Sequence, residues 1–194
     1  MKRIITTSPS TLLLLSIAVM LQCLCSIDPT LVDKLAYDPA AHISIFQIIT
    51  HILAHASWEH LMGNFLFGLP FMVYLENKLG SKRFLEFYML CGLGGLLLHM
   101  IVVGGGCIGS SSAIFGATAG ACMVYGNTAL DHCLGMLFIA IRLIQQILMA
   151  PLALLMGIAV FGHIGGILTG LMLVKRLYRT EIPTTKPPAK PSNT

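Results

Sequence analysis

Three short stretches of this chain carry residue types that could do chemistry: His60-Leu-Met-Gly-Asn64, the run Gly109-Ser-Ser-Ser-Ala-Ile-Phe-Gly116, and Gly162-His163-Ile-Gly-Gly166. A serine, a histidine to take its proton, and amide or imidazole N–H groups to hold an oxyanion are the components of acyl transfer by a nucleophilic serine. His60 and Asn64 are four residues apart, which on a helix puts them on one face, a turn apart. Each stretch lies in or beside a segment apolar enough to sit in lipid, so the chemistry implied is peptide cleavage inside a membrane. The serines at 110, 111 and 112 are equivalent at this point.

Taken singly, each residue has a plainer reading. A serine in a membrane helix usually bonds its own backbone, and a lone histidine usually packs or lines a pore; the conjunction of the three stretches is what points to catalysis. His51 and His55 are also four apart and stand near Glu59 and His60, a grouping that could hold a metal. No H-E-x-x-H is present, which removes the usual zinc peptidase signature, and these histidines are read as structural hydrogen-bonding groups. The six cysteines lie mostly in apolar segments without a paired C-x-x-C spacing and are read as small core residues. No metal and no cofactor is expected.

The elements that must position these residues follow from composition. A 194-residue chain that is 56% hydrophobic and 10% charged, with a mean hydropathy of +0.83, cannot cover itself with the polar surface a soluble domain needs. The expected class is an all-α polytopic membrane protein. Six apolar stretches, at roughly 8–27, 60–75, 84–103, 111–130, 136–156 and 159–175, approach the length of a membrane helix. The first follows Lys2 and Arg3 and resembles a signal peptide, but it lacks a clear small-x-small cleavage site and is read as a retained span.

Lysine and arginine set the orientation, because short loops rich in them stay cytoplasmic. Lys2 and Arg3, then Lys78, Lys82 and Arg83, then Lys175, Arg176, Arg179, Lys186 and Lys190 fall on one side under a six-span alternation, ten of the 12 basic residues. Both termini are therefore expected in the cytoplasm, with the loop from Ile27 to Glu59 outside, in a multi-pass protein of the cell membrane. Arg142 is expected in the first turns of the fifth span, extending its head to the cytoplasmic interface. The net charge of +4 sits in flanks that face anionic lipid and needs no nucleic acid to explain it. The expected organisation is a six-helix membrane domain over 1–179 and a disordered cytoplasmic tail over 180–194, which has four prolines and no apolar period.

With that topology the second, fourth and sixth spans all start at the outer face, so His60, Ser111 and His163 share one depth. The glycine-rich link before Ser111 suits irregular backbone approaching a helix start, tolerated at membrane depth where protein or a water-filled cavity surrounds it. Gly116-x-x-x-Gly120 and Gly166-x-x-x-Gly170 are small-x-x-x-small packing patterns. If the fourth and sixth helices touch along them, Ser111 and His163 meet at the top.

The stretches His51-Ile-Leu-Ala-His55-Ala-Ser-Trp-Glu-His60-Leu-Met-Gly-Asn64, Glu76-Asn-Lys-Leu-Gly-Ser81, Gly109-Ser-Ser-Ser-Ala-Ile-Phe-Gly116 and His163-Ile-Gly-Gly166 resemble the rhomboid family of intramembrane serine proteases, with a rhomboid-like core from about 46 to 174. The family signature is H-x-x-x-N on the second helix, G-x-S-G opening the fourth and H-x-x-G on the sixth. The resemblance implies Ser111 as nucleophile, aligned by Gly109 before it and Ala113-Ile-Phe-Gly116 after it, with His163 as general base. It implies an oxyanion site made of His60, Asn64 and the Ser111 backbone N–H, and a compact six-helix bundle of the bacterial type. The implied substrates are transmembrane segments of single-pass membrane proteins in the lipid bilayer.

Two departures stand out. Phe46-Gln47 replaces a W-R pair common in the family's first outer loop, and Ser112 stands where the family has glycine. If the backbone there needs a positive φ, a Cβ strains it, and replacing Ser112 by glycine would raise turnover; if the backbone has instead shifted to a conformation an L-residue accepts, the hydroxyl is an added donor near the oxyanion and its removal would lower the rate. Two competing functions belong to other classes: an inactive rhomboid-like protein that binds membrane helices, and a small transporter. The transporter predicts related halves, which the sequence does not show.

Overall fold

A computed structural model of the protein describes residues 8–40, 44–126 and 128–179. Lys2, Arg3, Lys186, Lys190 and the expected tail lie outside the described residues. Among these there are eight helices: α1 (Pro9–Ile27), α2 (Thr30–Leu35), α3 (Ile45–Thr50), α4 (Trp58–Leu79), α5 (Ser81–Val102), α6 (Ser111–Met123), α7 (Ala129–Leu155) and α8 (Val160–Arg179). Four are long and apolar enough to cross a membrane: α1, α5, α7 and α8. The chain is thus an all-helical, multi-pass membrane protein.

The six apolar stretches all fall on helices, but two of the helices are not spans by length and apolarity alone. Helix α4 has 22 residues and carries Glu59, Glu76 and Lys78. Glu76 is nonetheless buried: its carboxylate accepts from the backbone N–H groups of Ser10 and Thr11, each at 2.9 Å, and from the Thr11 hydroxyl at 2.7 Å. Those N–H groups open α1 and have no partner within it, so one buried charge caps one helix and ties it to another. Helix α6 stops at Met123 rather than near 130 and has 13 residues. It sits among α4, α5, α7 and α8, and from Ala113 to Cys122 every residue is buried.

Small side chains make that central position possible. A Cβ on Gly166 of α8 would run into the Ser112 backbone, and one on Gly170 would come within 2.5 Å of the Gly116 carbonyl oxygen. Side chains on the far faces of the bundle are apolar and exposed, among them Leu137, Ile141, Ile144, Ile147 and Leu148 on α7, as lipid contact requires.

Arg142 departs from expectation. Because α7 begins at Ala129, about two turns before the predicted start, Arg142 lies mid-helix instead of at the cytoplasmic end. Its guanidinium stands 4.7 Å from the Phe67 ring centre and 4.9 Å from that of Phe115. It donates to the Gln145 side-chain oxygen at 2.6 Å. Aromatic faces hold the cation against the bundle.

Candidate active site

Ser111 is the first residue of α6. The backbone N–H groups of a helix's first turn have no partner within the helix and carry the positive end of its dipole, so this is where an oxygen gathering negative charge is best accommodated. His163 lies in the first turn of α8, which starts at Val160. The packing of α8 glycines on α6 brings the two ends together, with His163 Nε2 2.9 Å from Ser111 Oγ. The Phe115 ring, one turn below Ser111, stacks on His163 with centroids 4.5 Å apart and planes at 12°.

The three serines part company here. Ser110 is buried and its hydroxyl lies 3.0 Å from His55 Nε2; it also bonds the Tyr88 side chain. Burial, with His60 adjacent, pushes the His55 imidazole down to about 3, so the ring is neutral at physiological pH. Ser112 points toward α5 and α8, where a Cβ on Gly95 would collide with its side chain and one on Gly162 would come within 2.9 Å of its hydroxyl. Only Ser111 of the three lines the cavity described below.

The expected strain at Ser112 is absent. The residue is helical, and no non-glycine residue among those described has a positive φ. The demanding backbone lies two residues before Ser111, at Gly109, whose φ is +122°. A Cβ on Gly109 would also come within 2.6 Å of the His60 ring and 3.6 Å of Asn64 Nδ2. Glycine is therefore required there twice over, once by conformation and once by close approach, and that approach sets His60 and Asn64 against the start of α6.

These groups face a cavity of about 610 Å³ lined by His60, Asn64, Ser111, Phe115 and His163 together with residues of α2 and of the segments 106–108 and 157–159. Asn64 Nδ2 is buried in its wall with no hydrogen-bond partner. A buried amide donor without an acceptor is costly, and here it borders the cavity beside the serine.

The loop from 27 to 59 packs against the segment that precedes α6. Tyr37 and Cys107 pair through two backbone hydrogen bonds of 3.0 and 2.9 Å, and the Gly109 N–H donates to the His51 carbonyl at 2.8 Å. The loop thereby holds the irregular segment that leads into α6. His51 donates through Nδ1 to the Gln47 carbonyl at 3.0 Å. No group of three potential metal ligands occurs among the described residues.

The sequence motifs leave out one neighbour of the Ser111–His163 pair: Gln146 of α7, whose Oε1 is 2.8 Å from His163 Nδ1. A signal was present, since an uncharged amide pair, Gln145-Gln146, falls between the apolar runs of the helix, three residues after Arg142.

Residues 42–180 match the sequence model of the Rhomboid domain. The chain is 31% identical over 143 residues to Rhomboid-like protease 3 of Toxoplasma gondii, an overlap covering 72% of this chain and 54% of the relative. It is 28% identical over 127 residues to RHOMBOID-like protein 4 of Arabidopsis thaliana, covering 61% of this chain and 30% of that relative. It thus spans about half of the first relative's length and less of the second's. A serine at the head of a buried central helix, a histidine at the head of a glycine-packed neighbour and a domain match over most of the chain agree: this protein belongs to the rhomboid family.

Proposed function

We propose that this protein is an intramembrane serine endopeptidase that cleaves transmembrane segments of single-pass membrane proteins with a Ser111–His163 dyad. The observation that carries the reading is the 2.9 Å contact between Ser111 Oγ and His163 Nε2 at the wall of a cavity that also receives an unpartnered amide donor. The family and the printed name of the Toxoplasma relative, a protease, support the same class of activity.

His163 takes the hydroxyl proton of Ser111 as its oxygen attacks the peptide carbonyl, and the proton then passes to the leaving amine. The oxyanion is held by Asn64, His60 and the Ser111 backbone N–H, and water entering the cavity cleaves the acyl-enzyme. Helix α6 supplies the depth for this chemistry. Its 13 residues extend about 20 Å against a hydrocarbon core of about 30 Å, so irregular chain and a cavity occupy the remaining third or so. Water can reach Ser111 there while lipid surrounds the outer helices. In this reading α4 and α6 complete six crossings, the termini are cytoplasmic and the site faces the opposite side of the cell membrane.

Reconstituted in vesicles with a single-pass substrate, the wild-type protein is expected to cleave it, and Ser111→Ala and His163→Ala are each expected to abolish cleavage. Nucleophile and base act as one unit, so the double variant loses no more than either single one. A fluorophosphonate probe is expected to label Ser111. Labelling at Ser110 or Ser112, or cleavage by Ser111→Ala, would overturn the assignment. Folded wild-type protein that binds the substrate helix without cleaving it would favour the inactive helix-binding alternative.

A further inference from the structure

We propose that Gln146 is a positioning residue of the dyad, fixing both the tautomer and the edge-on orientation of His163; the inference rests on the Ser111–His163 reading and extends it. The carboxamide is buried at the middle of α7, a helix whose neighbouring Ile144, Ile147, Leu148 and Met149 are exposed. An amide at that place must find a partner or lie unsatisfied, and its oxygen finds His163 Nδ1 at 2.8 Å. Oε1 is only an acceptor, so Nδ1 carries the proton. In a neutral ring Nε2 is then the bare nitrogen, and Nε2 is the one at 2.9 Å from Ser111 Oγ. The bond made by one ring nitrogen sets the state of the other. Here that state can accept the serine proton, whereas the opposite tautomer would aim a donor at the serine oxygen.

Orientation is constrained in the same way. Stacking on Phe115 fixes the plane of the ring but not its rotation within that plane. Gln146 at one edge and Ser111 at the other remove that freedom. When the imidazole becomes cationic, Nδ1 keeps its proton and its bond to the amide oxygen, whose partial negative charge stabilises the ion; no bond at Gln146 is made or broken. No acidic residue is near His163 in sequence, and the other titratable or charged groups that act on the ring are His60 of α4, His99 of α5 and Arg142 of α7. An uncharged acceptor therefore occupies the position at Nδ1 that a carboxylate occupies in a Ser-His-Asp triad.

Packing alone does not call for the amide. Interhelical hydrogen bonds between polar side chains in membranes contribute modestly to stability, and leucine fills a similar volume. The test compares wild-type protein, Gln146→Leu, Gln146→Glu and His163→Ala in vesicles with one single-pass substrate, with thermal unfolding in detergent and the rate of fluorophosphonate labelling of Ser111 measured beside turnover. Gln146→Leu is expected to lower kcat by about 10- to 100-fold, by analogy with the loss when the hydrogen-bond partner that orients a metal-ligating histidine is removed. KM stays unchanged and labelling of Ser111 slows in parallel. Gln146→Glu restores an acceptor at Nδ1 and is expected to recover most of kcat, with the acid limb of its pH profile displaced upward because a carboxylate there favours the imidazolium.

A purely structural Gln146 predicts something else: both variants lose stability and activity together, and the acid limb does not move. That result, or wild-type kcat in Gln146→Leu, overturns the proposal. Cleavage by His163→Ala would instead remove the reading on which it rests, and the two failures are told apart by that variant.

Discussion

At the scale of single residues, the donors around Ser111 differ in what the free protein asks of them. Asn64 Nδ2 donates to no protein group, so truncating it removes no hydrogen-bond donor that the resting fold uses. If it donates only to an oxyanion, its loss is confined to the reaction. Asn64→Ala is therefore expected to lower kcat by about 10² to 10³ with the thermal midpoint unchanged or raised. A fall in stability equal to that of a core truncation, with kcat retained, would show that Asn64 holds the fold and not the oxyanion. Ser110 and His55 make the contrast. They are the same residue types as the dyad, 3.0 Å apart, but each is almost wholly buried, so substrate cannot approach the serine oxygen.

At the scale of elements, the meeting of Ser111 and His163 depends on how closely α8 lies on α6. Gly166 and Gly170 face the α6 backbone near Ser112 and Gly116, and a backbone cannot turn aside as a flexible side chain can. Gly166→Ala is expected to push the helices apart, destabilise the protein by about 1–3 kcal/mol as overpacked cores do and lower turnover, since the dyad sits at the end of that contact. Gly63 of α4 is the control, because a Cβ there meets nothing within 4 Å. Gly63→Ala gains the helix preference of alanine, about 0.5–1 kcal/mol, and leaves turnover unchanged. Thermal unfolding and turnover of both variants decide, and a wild-type midpoint in Gly166→Ala would refute the packing argument. Ser112 belongs to the same contact. Its Cβ fits because Gly95 and Gly162 leave room for it, so the replacement of the family's glycine is accommodated by neighbouring helices rather than by a strained backbone.

At the scale of the whole molecule, the cavity opens among α2, the segment 106–108 and the heads of α4, α6 and α8. The distribution of basic residues in the sequence predicts that it faces away from the cytoplasm. A reporter inserted near Asp33 of α2 is expected outside and one fused after Thr194 inside, read by protease protection or by a compartment-specific enzyme tag. Both reporters on one side would overturn the six-crossing arrangement and, with it, the common depth of His60, Ser111 and His163.

Composition determined that the protein lives in a membrane, because no other solvent suits a chain this apolar, and the length of its apolar stretches, close to a helical span and without the alternation of a barrel strand, determined that it is helical. Linear spacing was enough to single out His60, Asn64, His163 and the serine triplet 110–112, and the resemblance of the flanking motif put Ser111 first among the three, since helical periodicity and short motifs are local properties. Tertiary structure decided what local patterns do not encode. It separated Ser111 from Ser110 and Ser112, whose order along the chain says nothing of the helix each hydroxyl faces. It turned Arg142 inward onto two aromatic rings, because a helix start two turns early changes the depth of every residue after it. It brought Gln146 to His163 across 17 positions, a pairing set by how α7 lies on α8 and by the cost of leaving an amide unpaired in an apolar interior.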